Sequence, residues 1–126
     1  MKKTIISTDF APAAIGPYSQ GVMLDQLIFT SGQIPIDPAK GKITAETIEA
    51  QAEQVMKNIK SILAEAGVGM DRIVKTTCFL ADLADFAAFN EVYGKYFPEN
   101  PPARSCFQVA ALPMGAKVEV ECIAVR

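Results

Sequence analysis

Between residues 45 and 66 the apolar positions Ile48, Ala52, Val55, Ile59, Ile62 and Ala66 recur at intervals of four and three. Such spacing draws one stripe along a helix of 3.6 residues per turn. Met56 and Leu63 widen the stripe, Thr44 is placed to cap its start and Gly67 to end it. The pattern predicts one long amphipathic helix laid against a sheet. Towards the C-terminus the period becomes two. Ser105, Phe107 and Val109 alternate with Arg104, Cys106 and Gln108, and Val118, Val120 and Cys122 alternate with Glu119 and Glu121. Each run reads as a half-buried strand. If the apolar faces of both strands cover one core, any antiparallel register puts Arg104, Cys106 and the two glutamates on a common face, because a one-residue slip inverts a strand.

The remaining elements follow from the same patterns. Residues 3–7 read as an opening strand, and 9–20, with Pro12, Gly16 and Pro17, as an ordered loop. Strands at 22–24 and 27–31 turn at Asp25-Gln26, and 35–41 reads as a loop. The β-branched Ile73, Val74, Thr76 and Thr77 favour a strand within 71–80. Asp82 or Asp85 then caps a second helix with Phe86, Phe89, Tyr93 and Phe97 along one side, stopping before Pro98. This order predicts an α+β fold, a mixed sheet with two helices on one face. The other face would leave Val, Ile and Cys side chains uncovered, and an apolar area of that kind marks a partner surface.

Composition narrows the function. A chain of 126 residues without a visible linker or repeat reads as a single domain, 1–126. The formal charge of -2 provides no basic field for a phosphate backbone, which argues against nucleic acid as the primary partner. Met1-Lys2-Lys3 begins like an export signal, but only Thr4, Ile5 and Ile6 follow before polar Ser7, Thr8 and Asp9. No apolar run has the length of a membrane span. Cys78, Cys106 and Cys122 are odd in number and widely spaced, as suits reduced thiols in the cytoplasm. The chain has no histidine, which excludes the common zinc arrangements and Ser-His or Cys-His catalysis.

Arg104 and the glutamates carry the candidate chemistry. A guanidinium grips a carboxylate or phosphate bidentately, and a free glutamate can handle a water or a proton. An arginine and a glutamate on neighbouring strands also make an ordinary cross-strand ion pair, and spacing does not choose between these readings.

Three segments add to this. Ala13-Ala14-Ile15-Gly16-Pro17-Tyr18-Ser19-Gln20-Gly21, Thr30-Ser31-Gly32-Gln33-Ile34-Pro35 and Pro102-Ala103-Arg104-Ser105-Cys106 resemble the signature segments of the RidA family, also called YjgF-type proteins. The run 72–80 is also similar, and the likeness extends over essentially the whole chain.

The resemblance implies an enamine/imine deaminase with a chorismate-mutase-like fold, assembled as a homotrimer with its sites in the clefts between subunits. The substrates would be short 2-imino acids and enamines such as 2-aminoacrylate, hydrolysed to 2-keto acids and ammonia. By the same resemblance Arg104 holds the substrate carboxylate, and Glu119 orients the attacking water and moves protons. Cys106 offers its backbone carbonyl to that water, while Tyr18, Ser31, Gly32 and Asn90 lie at the pocket. No metal or organic cofactor is called for. The chain departs from the family pattern at Gln108, where many relatives are acidic, and at 111–115, which replaces a more charged loop. Those changes bear on substrate range and on the charge of the outer cleft. The alternative to catalysis is a non-catalytic trimer that uses the same cleft to sense 2-keto acids, or that binds partners as a regulator or chaperone.

Overall fold

The computed structural model describes residues 2–126; Met1, which opens the basic N-terminal run, lies outside them. The strands are β1 (Lys3–Ile6), β2 (Gly21–Leu24), β3 (Leu27–Thr30), β4 (Ile36–Asp37), β5 (Lys42–Ile43), β6 (Ile73–Leu80), β7 (Ala103–Gln108) and β8 (Val118–Val125). The helices are α1 (Ile48–Glu65) and α2 (Phe86–Lys95). Six strands form one sheet in the order β1-β2-β3-β8-β6-β7, in which β6 and β7 run parallel and the other neighbours antiparallel. The predicted loop at 35–41 instead contributes β4 to a small hairpin with β5.

The stripe predicted for α1 is the core. Ala52, Val55, Met56, Ile59, Ile62 and Leu63 are fully buried against the sheet, and each large aliphatic there contributes roughly 1.5–3 kcal/mol by leaving water. The helix starts later than predicted because Thr47, not Thr44, is the cap, its hydroxyl accepting from Ala50 N–H at 3.1 Å. It stops where predicted. Gly67 sits at φ +84, and the N–H groups of Gly67 and Val68 bond back to Ala64 and Leu63. Asp82 caps a single 3₁₀ turn, Leu83–Asp85, that leads into α2.

Two buried polar side chains on α1 tie the loops that carry the site. Asn58 donates to the carbonyls of Ile34 and Ile36, and Gln51 accepts from Lys117 N–H at 2.8 Å while donating to Ala45. Through them one rigid helix holds both the segment after β3 and the entry to β8.

One expectation is overturned. Arg104 and Cys106 do not share a face with Glu119 and Glu121. Strand β6 separates β7 from β8, and its register pairs Thr76 with both Arg104 and Cys122, and Cys78 with both Cys106 and Val120. Thr76, Cys78 and Leu80 are fully buried, so Arg104 and Cys106 point to the helix side with Val120 and Cys122. Glu119 and Glu121 lie level with Phe79 and Thr77, on the opposite face with Phe107 and Ser105. The alternation along β7 was sound and its buried side was reversed. Phe107 is turned outward, 44 % exposed, packing edge-on against Phe79.

The face away from the helices is apolar across several strands. Ile5, Val22, Phe29 and Ile123 follow one another in register from β1 to β8, and Ile5, Leu27, Phe29 and Phe107 are all more than one-third exposed. Among the described residues no helix is long and apolar enough to cross a membrane.

Candidate functional site

Glu119 is the second residue of β8, and the chain after β3 comes back to meet it. Gln33 N–H donates to Val120 O at 2.8 Å and Val120 N–H to Gln33 O at 3.1 Å. This bridge brings Gly32 directly beneath the Glu119 carboxylate. A Cβ on Gly32 would overlap Glu119 Oε2 and lie 2.9 Å from its Cδ, so only glycine leaves the carboxylate where it is.

Ser31 is fixed from the other side. Its Oγ donates to Ser19 O at 2.6 Å and its N–H to Gln20 O at 2.9 Å. The loop it holds, 8–20, is organised by buried Gln20, whose amide accepts from Thr8 N–H at 2.7 Å and donates to the carbonyls of Thr8, Ala11 and Pro12. Tyr18 stands on this loop half exposed, its hydroxyl accepting from Ile15 N–H.

Tyr18, Ser31, Gly32 and Glu119 thus converge on one cavity of about 390 Å³, whose other walls are apolar apart from Gln33. Burial, and secondarily the Glu121 carboxylate, holds the Glu119 carboxyl above the ordinary carboxylate range. A carboxyl so placed exchanges protons closer to neutrality.

Arg104 belongs to a second cluster, on the helix side at the free edge of the sheet. Its Nη1 donates to Asn90 Oδ1 at 2.7 Å, and its guanidinium lies over the rings of Tyr93 and Phe86, 4.8 and 5.4 Å from their centroids. Tyr93 is in turn held by a 2.7 Å hydrogen bond between its hydroxyl and Thr76 Oγ1 in the core. An amide and two aromatic faces orient the guanidinium without neutralising it. Its remaining donors are available to an anion.

Cys106 lies half buried on the same face. Burial raises its thiol above the ordinary range while Arg104 pulls it down, and Cys78 beside it is pushed up to about 12. Neither sulfur is poised as a thiolate nucleophile.

The predicted residues therefore fall into two groups. Tyr18, Ser31, Gly32 and Glu119 meet at the cavity, Arg104, Asn90 and Cys106 meet behind the sheet, and within one chain the sheet lies between them. Sequence reasoning did not find Gln20 or the aromatic platform under Arg104. A glutamine in a Pro/Gly loop carries no signal of burial, and Phe86 and Tyr93 read only as a packing stripe.

The endoribonuclease L-PSP family model matches residues 8–126. Reactive Intermediate Deaminase A, chloroplastic, of Arabidopsis thaliana is 53% identical over 124 residues, covering 98% of this chain and 66% of that protein. The chain thus spans just under two thirds of that relative's length. The 2-iminobutanoate/2-iminopropanoate deaminase of Mus musculus is 48% identical over 124 residues, 98% of this chain and 92% of the mouse protein. The crystal structure of E. coli TdcF with bound serine superposes with a TM-score of 0.93 at 49% identity, covering 98% of each chain.

Proposed function

The chain belongs to the endoribonuclease L-PSP family, the family of RidA and YjgF, and from that premise we propose that it hydrolyses reactive 2-imino acids and their enamine tautomers to 2-keto acids and ammonia. Relatives named as deaminases at about half identity support this activity. The observation that carries it is the carboxylate of Glu119 held over Gly32 inside a cavity, with its proton affinity raised. RNA cleavage, which the family's description names, would have neither a basic track nor an imidazole base in a chain of formal charge -2 without histidine.

The site is composite. We place Arg104, Asn90 and Cys106 of one subunit against Tyr18, Ser31, Gly32 and Glu119 of its neighbour, in a chorismate-mutase-like homotrimer whose uncovered sheet faces meet at the centre. Two half-sites on opposite sides of one sheet support that reading, since a heterologous contact that closes a ring joins different surfaces of successive subunits. The exposed apolar row supports it as well. A reducing compartment such as the cytoplasm suits the three free thiols.

In this arrangement Arg104 takes the substrate carboxylate bidentately and so fixes C2. A water held by Glu119 and the Cys106 carbonyl attacks C2 of the imine, Glu119 accepting its proton. Starting from the protonated imine, the carbinolamine formed receives that proton on nitrogen, and as its hydroxyl proton passes back to the Glu119 carboxylate the C2–N bond breaks with its electron pair leaving as ammonia and the 2-keto acid remains. For an enamine the protonated carboxyl first delivers a proton to C3. No step calls on a thiolate.

The experiment is subunit mixing. Arg104→Ala and Glu119→Gln should each lose roughly 100-fold or more in kcat/KM, from the loss of charge-assisted hydrogen bonds or of the proton relay. Co-refolded in equal amounts, they should regain about one quarter of wild-type activity, because random assembly pairs an intact Arg104 half with an intact Glu119 half at one site in four. Inactive mixtures would refute the shared site, and full activity of both single variants would refute the residues.

A further inference from the structure

Gln51 stands on the buried stripe of α1, 4 % exposed, between Ile48 and Val55. A hydrocarbon would cover the core there without a polar cost, since taking an amide from water is unfavourable unless its hydrogen bonds are replaced. Both polar atoms of this amide are engaged by backbone. Its Nε2 donates to Ala45 O at 3.0 Å, and its Oε1 accepts from Lys117 N–H at 2.8 Å. The Lys117 carbonyl in turn accepts from Ala81 N–H at 3.0 Å, just beyond Leu80 and Val118, the last pair of the β6–β8 ladder. Lys117 is thus held through both its N–H and its C=O, two residues before Glu119.

The other flank of Glu119 is fixed to the same helix. Val120 is bridged to Gln33 through both backbone groups. The segment after Gln33 hangs on Asn58, whose Nδ2 donates to Ile34 O at 3.3 Å and Ile36 O at 3.0 Å, and whose Oδ1 accepts from Gln54 Nε2 at 2.9 Å. Gln51 and Asn58 are about two helical turns apart, roughly 10 Å along a stiff axis. The helix therefore sets the start of β8 against the segment that carries Gly32. That relation bears on chemistry because Glu119 lies directly over Gly32, where even a Cβ has no room.

We propose that Gln51 is a positioning residue for the hydrolysis, acting through Lys117 to hold Glu119 at the height over Gly32 from which it meets the attacking water. This rests on the deaminase reading above and on Glu119 as its acid–base group. The substrate carboxylate is bound by Arg104 on β7, in the other half of the composite site, so Gln51 acts on kcat and leaves KM.

The test compares two variants that break different parts of the contact. Gln51→Met has nearly the shape of the native side chain and neither hydrogen bond. Gln51→Glu keeps an oxygen for Lys117 N–H but buries a carboxyl group, a costlier change for the fold. Urea midpoints should therefore rank Gln51→Met above Gln51→Glu, and kcat should rank them the other way. With 2-aminoacrylate released by a serine dehydratase at varied rates, Gln51→Met should lose about tenfold in kcat at a KM within about twofold of wild type, as a shift of part of an ångström in a catalytic group implies. Gln51→Glu should stay within about threefold of wild type, its Lys117 contact being intact. In a Glu119→Gln background Gln51→Met should cause no further loss, because the group it positions is already absent. A kcat that follows the urea midpoints, an unchanged kcat in Gln51→Met, or a further loss of about tenfold in the Glu119→Gln background overturns the positioning role and leaves deamination standing. No hydrolysis by the wild type overturns both.

Discussion

Gly32→Ala separates the site from the fold. Gly32 is not in the left-handed region, so alanine fits its backbone, and replacing glycine at a compatible position stabilises a protein by about 0.4–1 kcal/mol through the unfolded chain. The new Cβ, however, would overlap Glu119 Oε2 and sit 2.9 Å from Glu119 Cδ, where 3.4 Å or more is ordinary contact. The obstructing atoms are the end of a side chain that opens onto a cavity, so the clash is relieved by swinging the carboxylate away. Global stability should then stay within about 1 kcal/mol of wild type, as read by urea unfolding. The carboxylate must move by about an ångström or more, and a displacement of that size in a catalytic group costs roughly 100-fold. That is about 2.7 kcal/mol of transition-state stabilisation. The assay couples a serine dehydratase, which releases 2-aminoacrylate, to pyruvate detection. Activity within threefold of wild type would refute the assignment of Glu119 to the chemistry. A loss of activity matched by a loss of folded protein would refute the claim that the clash is local.

Two further predictions concern the two halves of the site. Burial raises the Glu119 carboxyl, so the fold favours its protonated form: that contribution is present below the ordinary carboxylate pKa and lost as pH rises through the raised value. Glutamine has no such dependence, so Glu119→Gln should gain in urea midpoint relative to wild type between about pH 4 and pH 7.5; a relative loss would mean the charged form is the favoured one. At the other half, Tyr93→Leu removes the ring under Arg104 and should raise KM for carboxylate substrates several-fold, in line with about 0.5–2 kcal/mol for such a contact. Tyr93→Phe should keep KM while losing about 1–2 kcal/mol of stability, because Thr76 Oγ1 is left buried without its partner; equal KM in both variants would remove Tyr93 from the site.

How much was legible beforehand varies by element. The seam of α1 was read correctly because a helix placed on a sheet must bury one stripe, and Gly67 marked its end for a local conformational reason. Thr44 was mistaken for the cap because both threonines satisfy the same local rule. Only the path of the chain after β5 selects Thr47. Gln20 was invisible, since its four hydrogen bonds go to backbone groups brought round by a folded loop. The segments carrying Tyr18, Ser31, Gly32 and Arg104 were identified as wholes, through resemblance.

The strands show where local pattern stops being informative. Alternation established that Arg104 and Cys106 oppose Ser105 and Phe107, and that Glu119 and Glu121 oppose Val118 and Val120, because successive residues of an extended chain point to opposite sides whatever surrounds them. Which side of β7 is inward was decided by β6, whose buried Thr76 and Cys78 impose their orientation on the residues in register with them. Periodicity belongs to one strand, but burial belongs to the sheet and whatever packs on it. For that reason the chain's own residues named the arginine and the glutamate, and only the tertiary structure put them on opposite faces.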